Sequence, residues 1–177
     1  AVIQSFNLWE GQREFIAEAF KDGENQFKDG KFSRSDTQLC LEVVDLDLYQ
    51  TLNGFVKKAF EQYTSVYSGI LQNNDPVSTW TTKVQKTKAG GGYHQWHCEN
   101  GQFLYRDRVL AWMVYLNTVP SQSGGGTDFL HQKLTLQPEA GTIVLWPASY
   151  THVHRGGFLT GNIDKYIATG WFIREPT

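Results

Sequence analysis

The chain has little cysteine and no long apolar run. Its 177 residues include 2 cysteines, Cys40 and Cys98, too few for a disulfide framework. This favours a reducing compartment, and we expect a cytoplasmic protein. The longest apolar stretches fall far short of the roughly 20 residues that a membrane-spanning helix needs, so we expect no membrane partner.

The sequence also lacks an excess of either charge. Sixteen Lys and Arg against 18 Asp and Glu give a net charge of −2. Nucleic-acid binding depends largely on neutralising phosphates with a basic face, so no nucleic-acid partner is predicted. The composition is 40% hydrophobic and 14% aromatic, which is ample for a core. We predict a single domain over residues 1–177. The oligomeric state is not predicted.

The distribution of apolar residues changes at Pro76. Before it, recurrence at threes and fours predicts helices over about 11–20 and 46–71, a polar loop over 24–37 and a turn at 73–75. After it come short β-rich runs bounded by Gly, Pro, Asn or Ser. These runs are T-W-T-T-K-V-Q-K, Y-H-Q-W-H, R-V-L-A-W-M-V-Y-L, T-D-F-L, K-L-T-L-Q-P, T-I-V-L-W-P, T-H-V-H and K-Y-I-A-T-G-W-F-I. The fold class is therefore α+β and mainly β, with helical support over about 1–75 and a jelly-roll core over about 76–177.

All five histidines follow residue 90, and four of them form two clusters. Residues i and i+2 of a strand share a face, so His97 and Glu99 would aim two potential metal ligands at one point. His152 and His154 would likewise share a face. Two histidines and a carboxylate with open positions suit a non-haem iron(II) oxygenase. Spacing alone leaves open a solvent-exposed pair or the zinc site of a hydrolase.

Several longer segments carry a family resemblance. In chain order they are G-G-G-Y-H-Q-W-H-C-E, R-V-L-A-W-M-V-Y-L-N, G-G-G-T-D-F-L, P-E-A-G-T-I-V-L-W-P and H-V-H-R-G followed by K-Y-I-A-T-G-W-F. Over roughly residues 82–175 they resemble the prolyl 4-hydroxylase-like branch of the 2-oxoglutarate/iron(II) dioxygenases. The resemblance implies a double-stranded β-helix, iron(II), and 2-oxoglutarate and oxygen as co-substrates, with decarboxylation to succinate. Ascorbate is a further expectation.

The resemblance favours a prolyl hydroxylase acting on a peptide or protein. Two alternatives stay open: an oxygenase of a free amino acid or other small molecule, and a non-catalytic metal-binding jelly-roll protein.

The resemblance also assigns metal ligands. His97 falls on the first iron ligand, and Glu99 falls on the carboxylate, where most members have Asp. The distal ligand is His154, with His152 as the alternative. His154 is favoured because it lies eleven residues before Lys165, within the family's usual spacing, whereas His152 lies thirteen before it.

Four residues are assigned to 2-oxoglutarate by the same resemblance. Lys165 would pair with the far carboxylate of 2-oxoglutarate, and the Tyr115 hydroxyl would reach the same group. Thr87 stands where many members have Tyr, which predicts a roomier pocket. Trp171 would wall the iron site.

Five further residues have other expected roles. Trp96 and Arg155 are candidate substrate contacts. His94 and Cys98 are expected to face away from the metal, and His131 is expected to be a surface or core residue.

Overall fold

The structure is a computed structural model that describes residues 1–72 and 76–175. Its α-helices are α1 (Val2–Glu10), α2 (Leu41–Val44) and α3 (Leu46–Val66). Short 3-10 helices lie at Arg13–Phe15, Ala17–Ala19, Ser68–Leu71, Phe103–Tyr105, Ser121–Ser123 and Tyr150–His152. The turn predicted at 73–75 lies outside the described residues.

The strands of the described chain form two antiparallel sheets. They are β1 (Phe20–Gln26), β2 (Phe32–Cys40), β3 (Val77–Thr87), β4 (Gly92–Tyr93), β5 (Arg108–Tyr115), β6 (Thr127–Phe129), β7 (Leu134–Leu136), β8 (Ile143–Pro147), β9 (His154–Gly156) and β10 (Lys165–Arg174). The larger sheet has the order β1-β2-β3-β10-β5-β8, with β4 beside β2, and the smaller has the order β7-β6-β9. This mainly antiparallel arrangement confirms the predicted jelly-roll fold.

Strand β5 separates two hydrophobic cores, because successive side chains point to opposite faces of a sheet. Leu110, Trp112 and Val114 pack in the core that the larger sheet shares with the helices. Met113 and Tyr115 alternate with them and pack in a second core, together with Phe129, Trp146 and Trp171. Because both faces are covered, β5 is apolar almost throughout, which makes it easy to recognise in the sequence.

The helices cover one face of the larger sheet. Helix α3 begins where a carboxylate oxygen of Asp45 accepts a hydrogen bond from the backbone nitrogen of Leu48 at 3.1 Å. Val56 is fully buried, and the ring of Phe60 stacks on that of Phe172 with centroids 4.2 Å apart. The predicted helix at 46–71 is confirmed as far as Val66.

The first third of the chain differs from its prediction in two respects. Residues 11–20 form two short 3-10 helices and the start of β1 rather than one α-helix, because Phe20 enters the sheet and its ring packs edge-on against Phe6. Residues 24–37 lie mostly in the β1–β2 hairpin rather than in a loop. Backbone pairing holds this hairpin although its exposed residues are polar, so alternation of apolar residues did not reveal it.

An irregularity in β3 fixes the position of Trp171. Thr81 is an extra residue there, with φ of 51°, so that Gly170 pairs with Thr82 while Trp171 pairs with Trp80. A Cβ on Gly170 would overlap the carbonyl oxygen of Thr81 and lie 2.6 Å from the Trp112 ring. Only glycine therefore fits at position 170.

The helices of residues 1–72 and 76–175 are short or amphipathic. None of them combines the length and the apolar character that crossing a bilayer requires.

Candidate active site

Three potential metal ligands meet between the two sheets. His97, Glu99 and His154 offer ligand atoms that all lie within 4.8 Å of one another. Oε1 of Glu99 lies 3.5 Å from Nε2 of His97 and 3.2 Å from Nε2 of His154. We call these three residues the His-Glu-His trio.

A backbone bridge brings the two histidines together. The His97 nitrogen donates to the His154 carbonyl at 3.0 Å, and the His154 nitrogen donates back at 2.9 Å. His154 begins β9, but His97 and Glu99 lie outside the regular strands. The expectation that a strand carries His97 and Glu99 on one face is therefore wrong, and the pairing with His154 is what places His97.

Each imidazole of the trio is held through its second nitrogen. Nδ1 of His97 lies 2.8 Å from the carbonyl of Gln95, and Nδ1 of His154 lies 2.9 Å from that of His152. A carbonyl oxygen only accepts, so each Nδ1 carries the proton and each Nε2 presents its lone pair to the space beside Glu99. This is the tautomer that a metal ligand needs.

The second carboxylate oxygen of Glu99 is also fixed. Oε2 accepts a hydrogen bond from Nε1 of Trp171 at 2.8 Å and lies 3.3 Å from a guanidinium nitrogen of Arg108. Burial alone would raise the pKa of Glu99, but the hydrogen bonds that His154 and His97 donate when their rings also carry a proton on Nε2 outweigh it, and the pKa lies well below its ordinary value. Glu99 is therefore an anion with one oxygen directed at the two histidines.

Aromatic rings enclose the trio. Tyr93 stacks on His97 with ring centroids 4.0 Å apart, while Phe129 and Trp146 lie 5.6 Å and 5.0 Å from His154. These contacts restrict the rotation of both imidazoles and keep water from His154, which is buried.

A cavity of about 390 Å³ opens beside the trio. One wall is a face shared by β2, β3 and β10. Its polar side chains are those of Arg34, Asp36, Gln38, Lys83, Gln85, Thr87, Lys165 and Thr169. The predicted residues Thr87, Lys165 and Trp171 all line this cavity, and Thr87 pairs with Lys165 in the strand register.

Lys165 is a buried cation without an acidic partner. Its side chain is almost inaccessible, and Nζ donates to the carbonyl of Gly125 at 2.7 Å. No carboxylate of the described residues lies within salt-bridge distance of it, so the ammonium keeps further protons for a ligand. Burial lowers the pKa of Lys165 to about 8, against an opposing effect of Asp36.

Tyr115, which was predicted to reach the far carboxylate of 2-oxoglutarate, directs its hydroxyl to protein groups. The Tyr115 hydroxyl is 2.8 Å from the Thr127 hydroxyl and 3.2 Å from the carbonyl of Leu136. Its single proton serves acceptors of the protein, and Tyr115 does not line the cavity among the described residues, whereas Thr127 does. Tyr115 therefore supports the cavity wall from behind, and burial raises its pKa to about 12.

The alternative histidine, His152, lies outside the trio. It belongs to a 3-10 turn before β9, and its Nδ1 contacts the Thr151 hydroxyl at 3.0 Å. The expectation that His152 and His154 share a face is wrong, because residues 150–152 are not extended. The structure brings His154, not His152, to His97 and Glu99.

The two candidate substrate contacts also lie apart from the main cavity. The Arg155 guanidinium sits 4.4 Å from the centre of the Trp96 ring and forms an ion pair with Asp128 at 3.0 Å. Neither Trp96 nor Arg155 belongs to the lining of the cavity beside the trio, and their role as substrate contacts stays a prediction. Arg155 lines a smaller cavity of about 230 Å³.

Three further expectations concern residues near the trio. His94 stacks on Phe158 and lies outside the trio, as predicted. His131 is exposed in a turn, also as predicted. Cys98 is among the residues that line the cavity, and residues 97–99 do not form the strand on which its predicted orientation was based.

Comparison with known proteins assigns the family. The family model described as the 2OG-Fe(II) oxygenase superfamily matches residues 82–173. The chain belongs to this superfamily. Its members use iron(II), 2-oxoglutarate and oxygen, so the chain is an oxidoreductase by family. A search of curated proteins gives no match.

Solved structures share the fold of this oxygenase. A prolyl hydroxylase from Trichoplax adhaerens, in complex with a peptide fragment of the hypoxia inducible factor oxygen degradation domain, has a TM-score of 0.72 and 18% identity over 98% of this chain and 76% of its own. A Pseudomonas putida prolyl-4-hydroxylase has a TM-score of 0.63 and 18% identity, over 97% of this chain and 86% of its own. A viral collagen prolyl hydroxylase from Paramecium Bursaria Chlorella virus-1, in a 2OG complex, has a TM-score of 0.56 and 20% identity, over 68% of this chain and 72% of its own.

The donor set of this oxygenase fits the cofactor that its family implies. Two imidazole nitrogens and one carboxylate oxygen form the three-ligand arrangement of non-haem iron(II) sites, with room left beside them in the cavity. The unpaired ammonium of Lys165 fits a carboxylate of 2-oxoglutarate.

Sequence reasoning missed Arg108, which forms an ion pair with Glu99. Strict alternation along β5 would put Arg108 on the face of Leu110 and Trp112. The register of β5 against β10 shifts between Leu110 and Arg108, and this irregularity turns Arg108 toward the cavity. An arginine at the start of an otherwise apolar strand was the available signal.

Proposed function

We propose that this oxygenase hydroxylates a prolyl residue of a peptide or protein and converts 2-oxoglutarate to succinate as it does so. The observation that carries the proposal is that the His-Glu-His trio and the unpaired ammonium of Lys165 face one cavity. Proline as the target is supported by the fold shared with the three prolyl hydroxylases. Ascorbate would sustain turnover by keeping the iron reduced.

The trio is proposed to hold the iron. Nε2 of His97, Nε2 of His154 and Oε1 of Glu99 would be the ligands. When bound, iron(II) with 2-oxoglutarate and oxygen supplies the oxidising chemistry. Backbone carbonyls hold the histidine tautomers, and Trp171 and Arg108 hold the carboxylate in orientation.

The cavity wall is proposed to hold the co-substrate. The Lys165 ammonium would pair with the far carboxylate of 2-oxoglutarate, beside Thr87 and Thr127. The carbonyl of Gly125 aims that ammonium. Gly125 has φ of 70°, and a Cβ there would lie 2.9 Å from the Leu159 side chain, so glycine is needed to present this carbonyl.

The proposal is tested in two steps. Iron(II) and 2-oxoglutarate are first added to the protein without oxygen, and a weak visible charge-transfer band is expected. Oxygen, ascorbate and a library of proline-containing peptides are then added, and mass spectrometry looks for a shift of +16.

The outcomes separate the competing functions. Absence of both the band and succinate formation would contradict an oxygenase role. Succinate formation with no modified peptide would contradict the peptide substrate and favour a free amino acid or another small molecule.

A further inference from the structure

The cavity beside the trio carries more positive than negative side chains. Five cationic residues face it against two acidic ones, an excess of three positive charges, and they are Lys21, Arg34, Lys83, Arg108 and Lys165 against Asp36 and Glu99. The two positive charges of iron(II) and the two negative charges of 2-oxoglutarate cancel one another. The proposed cofactors therefore leave the excess of cationic side chains in place.

Internal ion pairs account for two of these cations. Arg34 pairs with Asp36 at 2.8 Å, and Arg108 pairs with Glu99 at 3.3 Å. Lys165 is reserved for 2-oxoglutarate in the proposed function. Of the rest, Lys21 is exposed, whereas Lys83 is half-buried in the wall.

Lys83 has cationic and aromatic neighbours. Its Nζ lies 5.0 Å from the centre of the Trp171 ring, and no hydrogen bond or ion pair joins it to any residue that the structure describes. Burial, then the charges of Arg108 and Arg34, lower the pKa of Lys83. The positive charge of Lys83 acts to lower the pKa of Asp36. The Asp36 carboxylate nevertheless accepts its hydrogen bonds from Arg34 and Gln38, not from Lys83.

The strand register separates Lys83 from Lys165. On β3, Thr87 pairs with Lys165, whereas Lys83 pairs with Thr169. Four residues of strand correspond to about 13 Å at about 3.3 Å per residue. Both positions lie on the face that lines the cavity, so the two cations mark opposite ends of that wall. 2-Oxoglutarate is a five-carbon dicarboxylate, and in the proposed function it reaches from Lys165 to the metal. It does not extend to Lys83, whose ammonium is therefore available to another anion.

We propose that Lys83 forms a subsite for a carboxylate of the hydroxylated substrate, next to Trp171 and at the opposite end of the wall from Lys165. The subsite would select substrates with a negative charge close to the reacting carbon. The carboxylate would come from an acidic residue of a peptide or from a small carboxylic acid. This inference rests on the proposed function, since it assumes that substrate enters beside iron and 2-oxoglutarate.

The test compares matched carboxylates and amides. The wild-type protein, loaded anaerobically with iron(II) and 2-oxoglutarate, is equilibrated with random peptides whose fixed residue is Glu or Gln. A second arm uses free amino acids and their amides. Lys83→Glu reverses the charge, and Lys83→Gln removes it in case reversal disturbs folding. Lys58→Glu, on an exposed position of α3, is the matched control.

The expected wild-type result is a preference for the carboxylate of about tenfold in one arm, equivalent to about 1.4 kcal/mol. Both Lys83 variants should lose this preference, and Lys58→Glu should keep it. The inference is overturned by equal binding of carboxylates and amides in both arms, or by an unchanged preference in the Lys83 variants. If the wild-type protein shows no iron–2-oxoglutarate band, the proposed function fails instead.

Discussion

Nε1 of Trp171 donates a hydrogen bond to Oε2 of Glu99 at 2.8 Å. The side chain that walls the cavity therefore also orients the carboxylate of the trio. Because Trp171 is fixed by the sheet and by Gly170 beside it, the position of Glu99 depends on a strand 72 residues further along the chain. Hydrogen bonds to a metal-ligating carboxylate commonly alter metal affinity.

Replacing Trp171 by Phe should weaken iron(II) binding. The variant keeps an aromatic wall but loses the donor to Glu99, and we expect a loss of affinity of about 10–100-fold. Competition with a coloured iron chelator measures it. Trp112→Phe is the matched control, because Nε1 of Trp112 is buried without a hydrogen-bond partner in the described part of the chain. Equal iron affinity in the two variants would refute this role of Trp171.

Alanine variants of His152 and His154 should differ in their iron binding. His154→Ala removes a proposed ligand and should abolish iron binding together with succinate formation. His152→Ala should retain both, because its imidazole lies outside the trio and only its backbone carbonyl holds His154. Iron content after gel filtration is the measurement. Iron retention by His154→Ala would overturn the ligand assignment.

The affinity for 2-oxoglutarate should fall as the pH rises from 7 to 9. The pKa of Lys165 is about 8, so the ammonium that attracts the carboxylate is charged below that pH and neutral above it. Binding near pH 9 should therefore take up protons, which calorimetry in two buffers detects. Lys165→Met should lose about 2–4 kcal/mol of binding energy near pH 7 and show no such uptake.

The same pKa has a consequence for stability. The folded pKa of Lys165 is lower than its ordinary value of 10.5, so the unfolded chain binds more protons between about pH 8 and 10.5. The free energy of unfolding of the ligand-free protein should rise with pH over that window, relative to Lys165→Met. A parallel pH dependence in the two proteins would contradict the lowered pKa.

Gly170→Ala should destabilise the fold. The new methyl group would overlap the Thr81 carbonyl oxygen and crowd the Trp112 ring, at a cost of about 1–3 kcal/mol or more. Gly54→Ala is the control, since it lies within α3 with open space around it and should stabilise the protein by up to about 1 kcal/mol. Urea unfolding compares the two. Equal stabilities would show that β3 and β10 can separate locally.

Much of the fold was predictable because its central strands are buried on both faces. The run R-V-L-A-W-M-V-Y-L corresponds to β5, and K-Y-I-A-T-G-W-F-I corresponds to most of β10. The β1–β2 hairpin was not predictable in this way. Its residues are largely polar and its stability depends on backbone pairing with β3, which leaves no periodic signal in the sequence.

The site was predicted in part, and partly by an incorrect route. His97 and Glu99 were selected by strand alternation, but the backbone bridge between His97 and His154 is what assembles the trio. A long-range bridge leaves no trace in local spacing. Arg108 was missed for a related reason, since a register shift overrides alternation at the start of β5.

The pairing of β2 with β3 has a consequence for the part of the chain that the family model matches. A fragment beginning near residue 76 would lack β2, and the backbone groups of β3 that pair with Thr37–Cys40 would become an unprotected sheet border. Such borders recruit strands from other molecules. Expressed alone, that fragment should form aggregates, and it would also have lost Arg34 and Asp36 from the cavity wall.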